Sequence, residues 1–132
     1  MPPRLTNVLA ALSVAASRDE YQAAEGRLGM PLDRLSSIRD DPALEADASG
    51  LTPSEVREWL ARLPVRPDEE ATVAWVADRI GARMTFGAFA SNVDDLWFPA
   101  MDDIIVLLDS REALDVLILD HEERITFSQV NA

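Results

Sequence analysis

Apolar residues recur at helical spacing through the first two thirds of the chain and give way to strand-like runs after Asp103. Leu5, Val8, Leu9 and Leu12, separated by Thr6 and Asn7 and followed by Ser13, describe an amphipathic helix rather than the uniform apolar core of a secretory leader. In "SRDEYQAAEGRLG", Ser17 is placed to cap a second helix three residues before Glu20, and Gly29 and Pro31 stand where it must stop. Leu32, Leu35 and Ile38 suggest one or two further turns before Pro42, and a polar stretch then runs to Gly50. The clearest helix is "LTPSEVREWLARLP". Thr52 is its N-cap, Pro53 its first residue and Glu55 the partner in a capping box, while Leu51 and Val56 are spaced as a hydrophobic staple. Val56, Trp59, Leu60 and Leu63 mark its buried face, and Pro64 ends it.

The same logic predicts a helix from Pro67 to Gly81, with Asp68, Glu69 and Glu70 at its start and Val73, Val76, Ala77 and Ile80 as its stripe. Trp75 lies about 200° from Val73 on that helix, either as a packed flank or as an exposed anchor. A short helix capped by Thr85 would carry Phe86, Phe89, Ala90, Val93 and Trp97 on one side. It raises a conflict, because Asp94 and Asp95 would stand at its negative end; either it stops near Asn92 or another group compensates. Beyond Asp103 the period changes. "IIVLL" and "LDVLIL" are apolar on both faces, whereas "ITFSQV" alternates Ile125 and Phe127 with Thr126 and Ser128. With turn signals at "DSRE" and "DHEE", the expected fold is α+β: N-terminal helices packed on a C-terminal three-stranded antiparallel meander whose last strand is an edge. One domain over residues 1–132 is expected from the length, and two-sided strands are compatible with a homodimer.

Composition narrows the chemistry. With no cysteine, disulfides, thiolate metal sites and a cysteine nucleophile are excluded. All 12 basic residues are arginine, which removes lysine chemistry as well. Against them stand 24 acids, for a net charge of −12, and 8 of those negative charges lie between Met84 and Ala132. Such a chain is repelled by nucleic acid and anionic membranes and steered toward a basic protein.

No catalytic set is complete. His121 is the only histidine, so "LDHEERI" cannot supply a helical H-E-x-x-H zinc site, and neither a nucleophile elbow nor a glycine-rich phosphate loop is present. A hard cation held by Asp102, Asp103 and Asp120 in a metal-dependent hydrolase is one alternative. Another lies in "EYQAAEGRLGMPLDRLSSI", which resembles a helix-turn-helix of a transcriptional regulator with its turn at Leu28-Gly29 and Arg27, Arg34 and Arg39 toward phosphates; Glu25 departs from that pattern. The expected function uses no catalysis and no cofactor. Asp94, Asp95, Asp102, Asp103, Asp120, His121, Glu122 and Glu123 would surround Trp97 and Phe98 as an acidic recognition surface. The competing structural reading makes Trp97 and Phe98 core residues and the acids a solvated edge.

The segment 94–127, "DDLWFPAMDD" followed by a strand pair and "LILDHEERITF", resembles the C-terminal part of small acidic bacterial immunity proteins of the toxin-neutralising type. The resemblance implies a small cytoplasmic protein that occludes the active site of a basic toxin such as a nuclease.

Overall fold

Continuous apolar runs make strands buried on two sides, and here they assemble one seven-stranded antiparallel sheet with helices on both faces. The computed structural model describes residues 3–34, 44–98, 102–109 and 114–130. In chain order the helices are α1 (Pro3–Ala11), α2 (Arg18–Leu28), α3 (Pro53–Ala61), α4 (Phe86–Ser91) and α5 (Val93–Leu96). The strands are β1 (Ala16–Ser17), β2 (Leu44–Asp47), β3 (Glu70–Trp75), β4 (Ile80–Thr85), β5 (Ile104–Asp109), β6 (Leu114–Leu119) and β7 (Arg124–Val130). Their order across the sheet is β1-β4-β3-β5-β6-β7-β2. The fold is therefore α+β, but the meander β5-β6-β7 is only the middle of a wider sheet.

The largest departure from expectation is the Pro67–Gly81 helix, which is the hairpin β3–β4. Val73, Val76, Ala77 and Ile80 match a helical stripe by coincidence, since they belong to one strand, its turn and the start of the next. Strand pairing on both sides decides the matter: Val73 is opposite Ala82 in β4 and opposite Val106 in β5. Trp75 is neither flank nor surface anchor but a buried strand residue whose indole Nε1 donates to the Leu96 carbonyl at 3.0 Å. Nor is β7 an edge. β2 pairs along it from Leu44↔Phe127 to Asp47↔Arg124, converting part of the polar stretch before Gly50 into the outer strand.

Local signals elsewhere behave as their chemistry requires. Ser17 accepts from the Glu20 N–H at the start of α2, and Gly29 ends that helix in the left-handed region at φ 75°. Thr52 and Glu55 form the reciprocal capping box of α3. The turns suggested by Leu35 and Ile38 lie outside the described residues.

One face of the sheet carries Val73, Trp75, Val106, Leu108, Leu117, Leu119, Ile125 and Phe127 against Leu5 and Leu9 of α1, Val56 and Leu60 of α3, and Phe86, Phe89, Val93 and Leu96 of α4 and α5. The other face carries Ala74, Ile105, Leu107, Val116 and Ile118 and packs against Tyr21 and Ala24 of α2 and Leu32. Arg27 of α2 donates to Thr72 Oγ1 at 3.0 Å. The alternation expected for β7 holds, yet Thr126 and Ser128 are also buried, and their hydroxyl oxygens have no hydrogen-bond partner among the described residues.

Among the described residues, Asp115 is the one carboxylate buried in the first face away from the β6–β7 turn. It lies opposite Leu108 and Gln129, and its Oδ1 has no hydrogen-bond partner among the described residues. Burial raises its pKa, with Glu69 adding to the rise and a hydrogen bond from Gln129 opposing it. A carboxylate with a raised folded-state pKa imposes its penalty as pH climbs above the unfolded value, and the penalty is complete above the folded value. Asp115→Asn, which keeps the shape and removes the buried charge, is thus expected to stabilise the protein by about 1 kcal/mol at pH 7, the scale of an ordinary single substitution. Urea denaturation across pH should show the gain shrinking as the solution is acidified toward the ordinary aspartate pKa; a gain that persists unchanged there would place its origin elsewhere.

Candidate functional site

Residues 93–98 and 102–104 are arranged around two indoles and a short helix. α4 ends at Ser91, Asn92 caps it by donating from Nδ2 to the Ala88 carbonyl at 2.8 Å, and α5 starts afresh at Val93. That break resolves the charge conflict seen in the sequence, because Asp94 and Asp95 stand in the first turn of α5 rather than at the end of α4. Trp97 follows, 2% exposed, with its Nε1 donating to the Asp102 carbonyl at 3.1 Å. The Asp102 amide donates to the Phe98 carbonyl at 3.0 Å, and the Asp102 carboxylate accepts the Phe98 N–H at 2.9 Å. Three hydrogen bonds therefore close the chain between Trp97 and Asp102 and turn Phe98 outward, where it is 44% exposed. The core reading holds for Trp97 and fails for its neighbour.

The second acidic segment is the β6–β7 turn. Asp120 is 1% exposed, and its Oδ1 accepts the N–H groups of Glu122 and Arg124, both at 3.0 Å. Glu123 takes φ 62°, the left-handed step that a three-residue hairpin loop needs. Asp103, at the mouth of β5, accepts both the His121 backbone N–H at 2.9 Å and its ring Nδ1–H at 2.8 Å. That hydrogen bond, and next to it the Asp103 negative charge, raise the His121 pKa, and the two contacts clip the turn to β5.

These two segments meet at one end of the sheet. The Ala48 N–H donates to the Glu123 carbonyl at 2.7 Å, which brings the short 3₁₀ turn Ala48–Gly50 and the N-terminus of α3 beside the hairpin. Arg124 pairs with Glu45 on the outer strand. A groove of about 290 Å³ opens here, lined by Ala48, Leu51, Pro53, Val56, Val93, Asp94, Trp97 and Phe98. On its rim the Arg57 guanidinium holds Asp94 at 2.9 Å and also reaches Ser54.

Of the residues expected at a recognition surface, Asp94, Asp95, Phe98, His121 and Glu122 are exposed, and Asp102, Asp103 and Glu123 are half-buried. Trp97 and Asp120 are buried, so Trp97 contributes the floor of the groove and Asp120 the shape of the turn. The apolar lining from Ala48, Leu51, Pro53, Val56 and Val93 was not among the expected site residues. Its one signal in the sequence was the staple pair Leu51 and Val56, both of which reach this groove.

Asp102, Asp103 and Asp120 each hold backbone N–H groups of neighbouring turns, and no three acidic or histidine side chains converge on a cation position among the described residues. In the helix-turn-helix segment, Arg27 is engaged with the sheet and the Glu25 carboxylate accepts the Leu32 N–H at 3.0 Å; Arg39 lies outside the described residues. Among the described residues no helix is long and apolar enough to cross a membrane. No protein-family model, curated protein or solved structure matches this chain.

Proposed function

We propose that this chain is a non-catalytic acidic binding module that neutralises a basic protein, such as a nuclease toxin, by covering it with the end of the sheet that carries α5 and the β6–β7 turn. The observation that carries this reading is the gathering at that end of carboxylates from separated segments: Asp94 and Asp95 on α5, Asp102 and Asp103 before β5, where Asp102 holds the exposed Phe98 and Asp103 holds His121, and Glu122 and Glu123 in the turn that His121 opens. A rim of this charge accelerates encounter with a cationic surface, and the apolar centre supplies contact energy that survives salt. The roles within the rim differ. Asp102 and Asp103 hold the loop and the turn in place, so their replacement would disturb shape as well as charge.

The test uses calorimetric titration of the chain with the purified product of the neighbouring gene, at two salt concentrations. Binding is expected to weaken as salt rises. Asp94→Asn and Glu122→Gln are each expected to weaken it about two- to five-fold, the range of an exposed ion pair. Tight binding that ignores both salt and these substitutions would remove this end of the sheet from the interface.

A further inference from the structure

We infer that the groove between α3 and α5 is the anchor of that interface and takes one large apolar side chain, leucine, methionine or phenylalanine, from an arginine-rich segment of the partner. The inference rests on the binding reading above and deepens it. Size is the first argument: about 290 Å³ falls at the lower limit of small-molecule sites but suits a side chain entering from outside. Polarity is the second. Among the described residues Asp94 is the only charged one lining the groove, so a free metabolite would find little to orient it, whereas Leu51, Val56, Val93 and Trp97 offer an apolar seat. Phe98 stands at the mouth as an exposed wall above the buried Trp97, the arrangement in which an interface residue loses most water on binding.

Charge chooses the flanks. Asp94 lies on one side of the seat, held by Arg57, and the Asp102 carboxylate lies beyond Phe98, held by its N–H. An apolar residue in the groove therefore places its neighbours near carboxylates, which favours arginine or lysine at those positions. The same charges oppose a second copy of this chain, whose net charge is −12.

The probe is a pair of fluorescent synthetic peptides of equal length and charge, in which arginine alternates with leucine in one and with serine in the other. Fluorescence anisotropy should show the leucine peptide binding about ten-fold more tightly, with Phe98→Ala and Leu51→Ser each erasing most of that difference. Methyl resonances of Leu51, Val56 and Val93 in the unmodified protein should shift with the leucine peptide and stay in place with the serine peptide, a result that does not depend on the folding of either variant. Equal, salt-sensitive binding of both peptides would overturn the groove while leaving the acidic face intact. Absence of binding by both at low salt would overturn the face itself, and the groove with it.

Discussion

Trp97→Ala is expected to destabilise the protein by about 3–5 kcal/mol, the range for removing a buried aromatic ring. Trp97 packs within the core that joins α1, α3 and α5 to the sheet, and its indole also closes the loop onto the Asp102 carbonyl. Trp97→Phe separates the two contributions, because it keeps most of the ring and loses the hydrogen bond. Its cost should be about 1 kcal/mol, plus the strain or cavity left by the smaller ring. Urea denaturation of the three proteins at one pH measures both effects. A loss under about 1 kcal/mol for the alanine variant would mean that the ring is not packed as described. The consequence reaches the surface, since the loop held by this indole is what turns Phe98 outward.

The second large effect belongs to Gly81, on the opposite side of the sheet. A Cβ at this position would stand 2.9 Å from the Tyr21 nitrogen and 3.0 Å from the Glu20 carbonyl carbon, both backbone atoms of α2. Neither can rotate away, so Gly81→Ala must lift the helix off β4. The expected cost is about 1–3 kcal/mol, typical of inserting a methyl group into a packed interface. The lift should also loosen Tyr21 and Ala24 from the second core and raise amide exchange in β1 and β4. Stability and exchange equal to the unmodified protein would show that α2 does not lie this close. Because α2 and the acidic end occupy different parts of the molecule, peptide binding by this variant should persist as long as it stays folded.

Gly81 also explains why half the sheet escaped a reading of periodicity. As the last residue of an apparent helix it looked like a stop signal; in the folded chain it is the point where a strand lets a helix backbone approach. A contiguous apolar stretch such as "ATVAW" satisfies both periods, and the choice depends on whether partners exist on either side. β4 and β5 supply them, at Ala82 and Val106, 9 and 33 positions along the chain from Val73. β2 was hidden for a related reason. "LEAD" is polar and weakly β-forming, and only the free edge of β7 gives it a partner.

At the acidic end, the sequence displayed the residue types without their division of labour. Trp97 and Phe98 are adjacent and chemically alike, yet one is floor and the other wall, because the chain leaves α5 through an extended residue and then bends back to Asp102. The carboxylates divide in the same way: Asp102, Asp103 and Asp120 serve backbone N–H groups, while Asp94 meets an arginine contributed by a distant helix.

What the sequence determined by itself is what acts over a few residues, the caps at Ser17, Thr52 and Thr85, the stop at Gly29 and the two-sided strands β5 and β6, together with a net charge of −12. Tertiary structure alone decided that "ATVAW" is a strand, that β7 has a cover, and that the 3₁₀ turn Ala48–Gly50, α3 and α5 frame one groove. The physical reason is range. Capping and periodicity are satisfied by neighbours in the chain, whereas strand pairing, helix approach and the exposure of a given ring depend on which distant surfaces become buried together.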